Sequence, residues 1–180
     1  TAVADGVATP IYLYDIPART QNHIEPETAR RLARHGNIAG IKDSGGAQET
    51  LEAYLAVSRD SNGSFDVYSG PDSLVYWAFS NGARGCISGL GNVMPQTLAA
   101  LTRAFNAGDL AEAERQQETF TALRKDLYAL GYPPAMVKRA LYLMDKSVGA
   151  SRQPALAPDP AQDAKIAAIL AVHGLAPELA

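Results

Sequence analysis

The 180-residue chain is 47% hydrophobic and 19% charged, carries a net charge of −3 and holds one cysteine and three histidines. This composition describes a well-buried globular domain and excludes a nucleic-acid binder working through a basic face, since no run of Lys or Arg would meet a phosphate backbone. An internal disulfide is excluded because Cys86 has no second cysteine, which fits a reducing, cytoplasmic setting; a membrane span is excluded because no apolar stretch nears the ~20 residues that a bilayer requires. The chain opens on Thr1 without the pattern of a signal peptide, and its start reads as internal sequence.

Residues 9–14 are rich in strand formers and stop before Pro17, a residue that ends a ladder. Pro26, set between Glu25 and Glu27, opens a predicted helix in which Ala29, Leu32 and Ala33 recur until Gly36. A second strand is predicted over 38–43, apolar until its last two residues, and a helix follows with Leu51, Tyr54, Leu55 and Ser58 on one face. Residues 65–69 give a third strand; 71–81 give a helix carrying Leu74, Trp77 and Ala78, with Gly82 at its cap. A fourth strand over 84–88 precedes a helix that Pro95 opens and Gly108 closes, with Leu98, Leu101 and Phe105 aligned. Strands alternating with helices predict βαβ units around a parallel sheet.

From residue 109 the strands cease. Asp109 and Glu112 form a capping pair ahead of a long helix through Phe120, Leu123 and Leu127 to Gly131. Pro133 and Pro134 start another helix, expected to run to Gly149. A Pro/Ala/Ser linker leads to a second capping signature at Asp159 and Gln162 and a last helix ending at Gly174. The expected organisation is a four-unit α/β body over 1–106 and an all-helical part over 107–180.

In parallel α/β folds the reactive groups gather beyond the carboxyl ends of the strands. Lys42 ends an otherwise apolar strand, and desolvation of an amine there favours the neutral nucleophile needed for Schiff-base chemistry. Position alone favours a lysine that snorkels to solvent. Tyr14 ends the neighbouring strand, ~4.8 Å away if the two pair, and is otherwise a strand-end aromatic. Arg19 has the fork to clamp a carboxylate, or simply faces water. His23, His35 and His173 lack metal-ligand spacing. Gly89 and Gly91 begin a dinucleotide-like pattern, but Met94 stands where its third glycine belongs, leaving a weak phosphate-loop candidate. Cys86 reads as a small core residue. No carboxylates at matched strand ends point to glycoside hydrolysis.

The segments YDIPART (14–20), GIKDSG (40–45), YSG (68–70) and GCIS (85–88) with Gly91 and Asn92 together resemble the dihydrodipicolinate synthase and N-acetylneuraminate lyase family over essentially the whole chain. The resemblance implies an α/β fold, namely the C-terminal half of a (β/α)8 TIM barrel (strands 5–8) followed by an all-helical C-terminal extension. It implies a class I lyase or aldolase that handles pyruvate, with Lys42 forming the imine and Tyr14 moving protons. Arg19 matches a residue holding the second substrate's carboxylate, and the stretch around Gly70 and Ile87 approaches pyruvate. No cofactor beyond the covalent imine and no metal is implied. The implied partners are a small keto acid and an aldehyde, with neither nucleic acid nor membrane, in a homo-oligomer built as a dimer of dimers.

Asp15 departs from the Asn common in the synthases, and Pro71 and residues 88–92 lean toward a 2-keto-3-deoxy sugar-acid aldolase; Arg19 favours the synthase. A non-catalytic keto-acid-binding relative and a barrel enzyme for phosphorylated sugars are the alternatives from other classes. Because a complete barrel takes ~250 residues and four units are present, the family's pyruvate-carboxylate loop and interface tyrosine are expected outside this sequence. Such a half-barrel, with open strand edges, is expected to need further chain to be soluble.

Overall fold

Four parallel strands pair in chain order: β1 (Ile11–Asp15), β2 (Ile38–Asp43), β3 (Asp66–Ser69) and β4 (Gly85–Cys86). In the computed structural model, which describes residues 1–144 and 147–175, α1 (Ala2–Asp5) precedes β1, and α2 (Pro17–Thr20) and α3 (Pro26–Leu32) link it to β2. The later links are α4 (Gln48–Asp60) and α5 (Val75–Ser80). Prolines open α2 and α3, where the missing N–H removes no helical bond. The chain divides into two compact units, Thr1–Ser88 and Gly89–Ala180.

Strand alternation gives the first unit's sheet two different faces. Ile41, Val67 and the neighbouring Phe65 are buried with Leu51, Tyr54, Leu55 and Val57 of α4 in one core. The opposite face carries Tyr12 and Tyr14, which are 46% and 48% exposed, with Gly40, Lys42, Tyr68 and Gly85 at paired positions. Tyr12 packs edge-on against Tyr68, with ring centroids 5.7 Å apart, and donates to Asp66 Oδ2 at 3.0 Å.

Three elements differ from their sequence expectation. α3 ends at Leu32 rather than Gly36; beyond it the backbone turns, with His35 N–H donating to the Leu32 carbonyl at 2.9 Å. The helix expected from Pro71 begins as a 3-10 turn, Asp72–Leu74, because Pro71 holds an extended backbone and the Asp72 carboxylate accepts from the Ser88 hydroxyl. β4 is two residues long instead of 84–88, although Arg84 and Ile87 N–H groups still donate to β3 carbonyls at 2.9 Å.

The second unit is helical: a 3-10 turn at Leu90–Asn92, α6 (Pro95–Asn106), α7 (Leu110–Tyr128), α8 (Pro133–Met144), a 3-10 turn at Pro160–Gln162 and α9 (Asp163–Val172). Its core joins Phe120, Leu123 and Leu127 of α7 to Ala140, Ile166 and Leu170. Asp109 caps α7 by accepting from Glu112 N–H at 3.1 Å. Asp159 and Gln162 complete their reciprocal cap. Gly82 and Gly108 hold φ of +90° and +78° after α5 and α6, the left-handed geometry that a side chain would strain. The described part of α8 stops at Met144; its expected continuation crosses residues 145 and 146, which lie outside the described residues. The unit boundary at residue 88 precedes the 106/107 division drawn from sequence, because α6 packs along α7.

Candidate active site

The register of β1 and β2 sets Tyr14 directly opposite Lys42. Even-numbered positions of both strands face away from the helices, so the two side chains emerge on one face at the carboxyl end of the sheet. Lys42 Nζ donates to the Tyr14 hydroxyl oxygen at 3.3 Å and lies 4.4 Å from the centre of the Tyr14 ring. Ser44 Oγ donates to the same phenolic oxygen at 3.3 Å. Two incoming donors occupy the lone pairs of that oxygen and leave its own proton to be directed elsewhere.

Gly70 closes one side. A Cβ there would stand 2.1 Å from Ser44 Oγ, 2.6 Å from the Asp43 carbonyl oxygen and 3.1 Å from Lys42 Cε. The glycine N–H donates to that carbonyl at 2.7 Å, so the bare backbone lies flush against the lysine stem. Ile87, 49% exposed, follows β4, with its N–H tied to the Ser69 carbonyl at 2.9 Å. Arg19 is exposed on α2, one short helix beyond β1.

Matched carboxylates do occur at the strand ends, contrary to the sequence reading. Asp15 and Asp43 are register partners, 1% and 0% exposed. Odd positions point to the helix-covered face, so these groups sit behind Tyr14 and Lys42 rather than beside them. Burial, foremost, and the nearby Asp15 push the Asp43 carboxyl above its ordinary range, against a lowering by the Gly45 N–H. Burial and Asp15 likewise raise the Tyr54 phenol. Asp15, Asp43 and Ser44 lie within the YDIPART and GIKDSG segments without a role of their own there, and Tyr54 reads from sequence only as a helix-face position. The available signal was that each Asp directly follows a candidate site residue at a strand end.

The other candidates have structural partners. His23 Nδ1 and His35 Nε2 each lie 2.8 Å from a carboxylate, of Asp15 and Asp5, and His173 Nε2 is 3.0 Å from Asp126. The Cys86 thiol is pushed up to about 11, first by burial and then by Asp72, which keeps it protonated and unreactive at neutral pH. Between Gly89 and Asn92 the backbone is a 3-10 turn around the buried Leu90, with Asn92 Nδ2 donating to the Gly89 carbonyl at 2.9 Å. A cavity of about 440 Å³ lined by Arg30, Arg34, Asp60 and Ser61 contains none of the candidate residues. Among the described residues, no helix is long and apolar enough to cross a membrane.

A four-stranded parallel sheet with helices on one face and a lysine–tyrosine pair at its carboxyl ends places the chain among the parallel α/β proteins, with a helical continuation. The chain belongs to the dihydrodipicolinate synthetase family, whose family model matches residues 1–172. It is 39% identical to a 4-hydroxy-tetrahydrodipicolinate synthase of Geobacter metallireducens over 175 residues, covering 97% of this chain and 59% of that protein. A protein of the same name from Corynebacterium urealyticum is 42% identical over 162 residues, covering 90% and 52%.

Solved structures agree. The prophage protein YagE of E. coli K12, of the dihydrodipicolinic acid synthase family and determined with pyruvate, superposes with a TM-score of 0.90 at 29% identity, covering 97% of this chain and 59% of that one. The dihydrodipicolinate synthase of Aquifex aeolicus gives 0.87 at 30% identity, covering 99% and 60%. The chain therefore spans about 59% of the length of the first of these relatives.

Proposed function

We propose that this chain carries the imine-forming part of a pyruvate-dependent carbon–carbon lyase, with 4-hydroxy-tetrahydrodipicolinate synthesis as its reaction. The observation that carries the reading is the 3.3 Å contact between Lys42 Nζ and the Tyr14 hydroxyl at paired strand ends. The Lys42 amine adds to the ketone carbon of pyruvate, and loss of water leaves an imine. Protonated, that imine withdraws electrons, so the methyl group releases a proton and becomes an enamine carbon. This carbon attacks an aldehyde, the aldehyde oxygen takes up a proton, and water then releases the product from Lys42.

Tyr14 is the acid–base group of this sequence. Its oxygen is within reach of the lysine amine, and its own proton is available for the carbinol or the aldehyde oxygen. Gly70, with no side chain, lets the backbone lie against the Lys42 stem without covering its amine, and the backbone about Ile87 would approach the keto acid. Arg19 would hold the acceptor's carboxylate through its planar fork. No dissociable cofactor is required, because the imine itself is the electron sink. The reaction is the one named for the relatives; assembly as a dimer of dimers and a cytoplasmic role in lysine biosynthesis are expectations that the same reading carries with it.

Substrate competition tests it. With pyruvate as donor, the full polypeptide is expected to consume aspartate semialdehyde faster than 2-keto-3-deoxy sugar acids are cleaved, with a Lys42→Ala control inactive on both. Preference for the sugar acids would move the assignment to the aldolase branch, and turnover by Lys42→Ala would remove the imine altogether.

A further inference from the structure

On the helix-covered side of the sheet, directly behind Tyr14 and Lys42, lies a polar cluster that the chemistry above leaves unused. Asp15 accepts from His23 Nδ1 at 2.8 Å and the Tyr54 hydroxyl at 3.0 Å through Oδ2, and from Ile24 N–H at 3.0 Å through Oδ1. Asp43 Oδ1 accepts from Gly45 N–H at 2.7 Å, while Asp43 Oδ2 is buried without a hydrogen-bond partner. The Tyr54 hydroxyl also lies within bonding distance of the Ile24 carbonyl, so one phenolic proton faces two acceptors. The cluster holds more acceptor positions than protons to fill them.

Asp15 and Asp43 are register partners on neighbouring strands, and burial together with the charge of Asp15 disfavours ionisation of Asp43. The groups around Asp43 are Asp15 on β1, His23 on the segment before α3, Tyr54 on α4 and Ser69 at the paired position on β3; Glu25 acts on the cluster through Tyr54. Asp15 has three donor groups within reach. Asp43, with its orphan oxygen, is the natural home for one more proton.

We propose that Asp43 is held as a neutral carboxylic acid whose Oδ2 proton is shared with the Asp15 carboxylate, and that this pair positions the strand ends bearing Tyr14 and Lys42. The proton turns a buried orphan acceptor into a donor and removes the repulsion between the two groups. Each Asp directly follows a site residue, and their backbones are tied to the same loops: Ser44 N–H donates to the Asp15 carbonyl at 2.8 Å and Gly70 N–H to the Asp43 carbonyl at 2.7 Å. Losing the proton sets two charges against each other at the base of the Lys42–Tyr14 contact. The pair therefore acts through other residues, and its functional half rests on the imine reading given above.

Difference infrared spectroscopy of the full polypeptide, taken between neutral and alkaline pH, tests the shared proton. A protonated-carboxyl band that disappears on raising the pH is expected in the wild type, lost in Asp43→Asn and titrating at lower pH in Asp15→Asn. Absence of the band from the wild type, or its survival in Asp43→Asn, would overturn the proposal; if Asp43→Asn fails to fold, an unshifted titration in Asp15→Asn would do the same.

The positioning role is read from the pH profile of borohydride trapping with pyruvate at Lys42. The wild type is expected to lose trapping as the band titrates, and Asp43→Asn, whose carboxamide donates without titrating, to lose that limb of the profile. An unchanged profile in Asp43→Asn would overturn positioning. No adduct on Lys42 at any pH would overturn the imine reading and positioning with it, leaving the infrared result to decide the shared proton.

Discussion

At the scale of single residues, Gly70 is as demanding as Lys42. A methyl group at 2.1 Å from Ser44 Oγ and 2.6 Å from a backbone carbonyl must displace a loop or a strand end, so Gly70→Ala is expected to abolish turnover, checked by steady-state assay of the full polypeptide. Tyr14→Phe removes the acid–base group while leaving the amine, and turnover is expected to fall by about 10²–10⁴-fold, with pyruvate still trapped on Lys42.

Asp43 sets a sign for pH. Its carboxyl is raised in the folded state, so folding prefers the protonated form and its contribution to stability declines as pH rises from the unfolded carboxylate range through the folded one. Thermal melting against pH is expected to show that decline in the wild type and not in Asp43→Asn. Lys42 and Tyr14 were legible because each ends a strand-like run within a motif. The Asp15–Asp43 match was not, since it depends on strand register, and β1 slips against β2 between Ile11 and Tyr12 in a way that no periodicity records.

At the scale of elements, side chains that close helix ends were readable, and those that break patterns were not. Asp109 caps α7 as its spacing announced, and Asp109→Ala is expected to cost about 1 kcal/mol in denaturant unfolding. By contrast, the late start of α5 depends on Ser88 reaching the Asp72 carboxylate across sixteen residues of sequence, a tertiary contact beyond any local signal. The Arg139 guanidinium grips Asp163 and ties α8 to α9, with Nε donating at 2.7 Å. That hydrogen bond holds the Asp163 carboxyl below its ordinary range. The contribution is present above the unfolded carboxylate pKa and is lost as pH falls through the folded one. Asp163→Asn is expected to lower the melting temperature at neutral pH and to shrink the difference from wild type in acid.

At the scale of the whole molecule, strand–helix alternation followed by helices alone was visible in the sequence, but the place of the division was not: the compact units part after Ser88. The face bearing the site is a different matter: Tyr12, Tyr14 and Ile87 remain nearly half exposed, and the chain spans about 59% of the relatives it matches. An exposed aromatic face of this kind favours association. Residues 1–180 on their own are expected to self-associate in sedimentation velocity, and a monodisperse, active monomer would contradict that.

The assignment of Lys42 as the imine-forming residue is tested most directly by treating the full polypeptide with pyruvate and borohydride and mapping the reduced adduct by peptide mass spectrometry. The expected result is a three-carbon acid fixed to the Lys42 peptide and absent from Lys42→Ala; an unmodified Lys42, with the adduct elsewhere or nowhere, would contradict it.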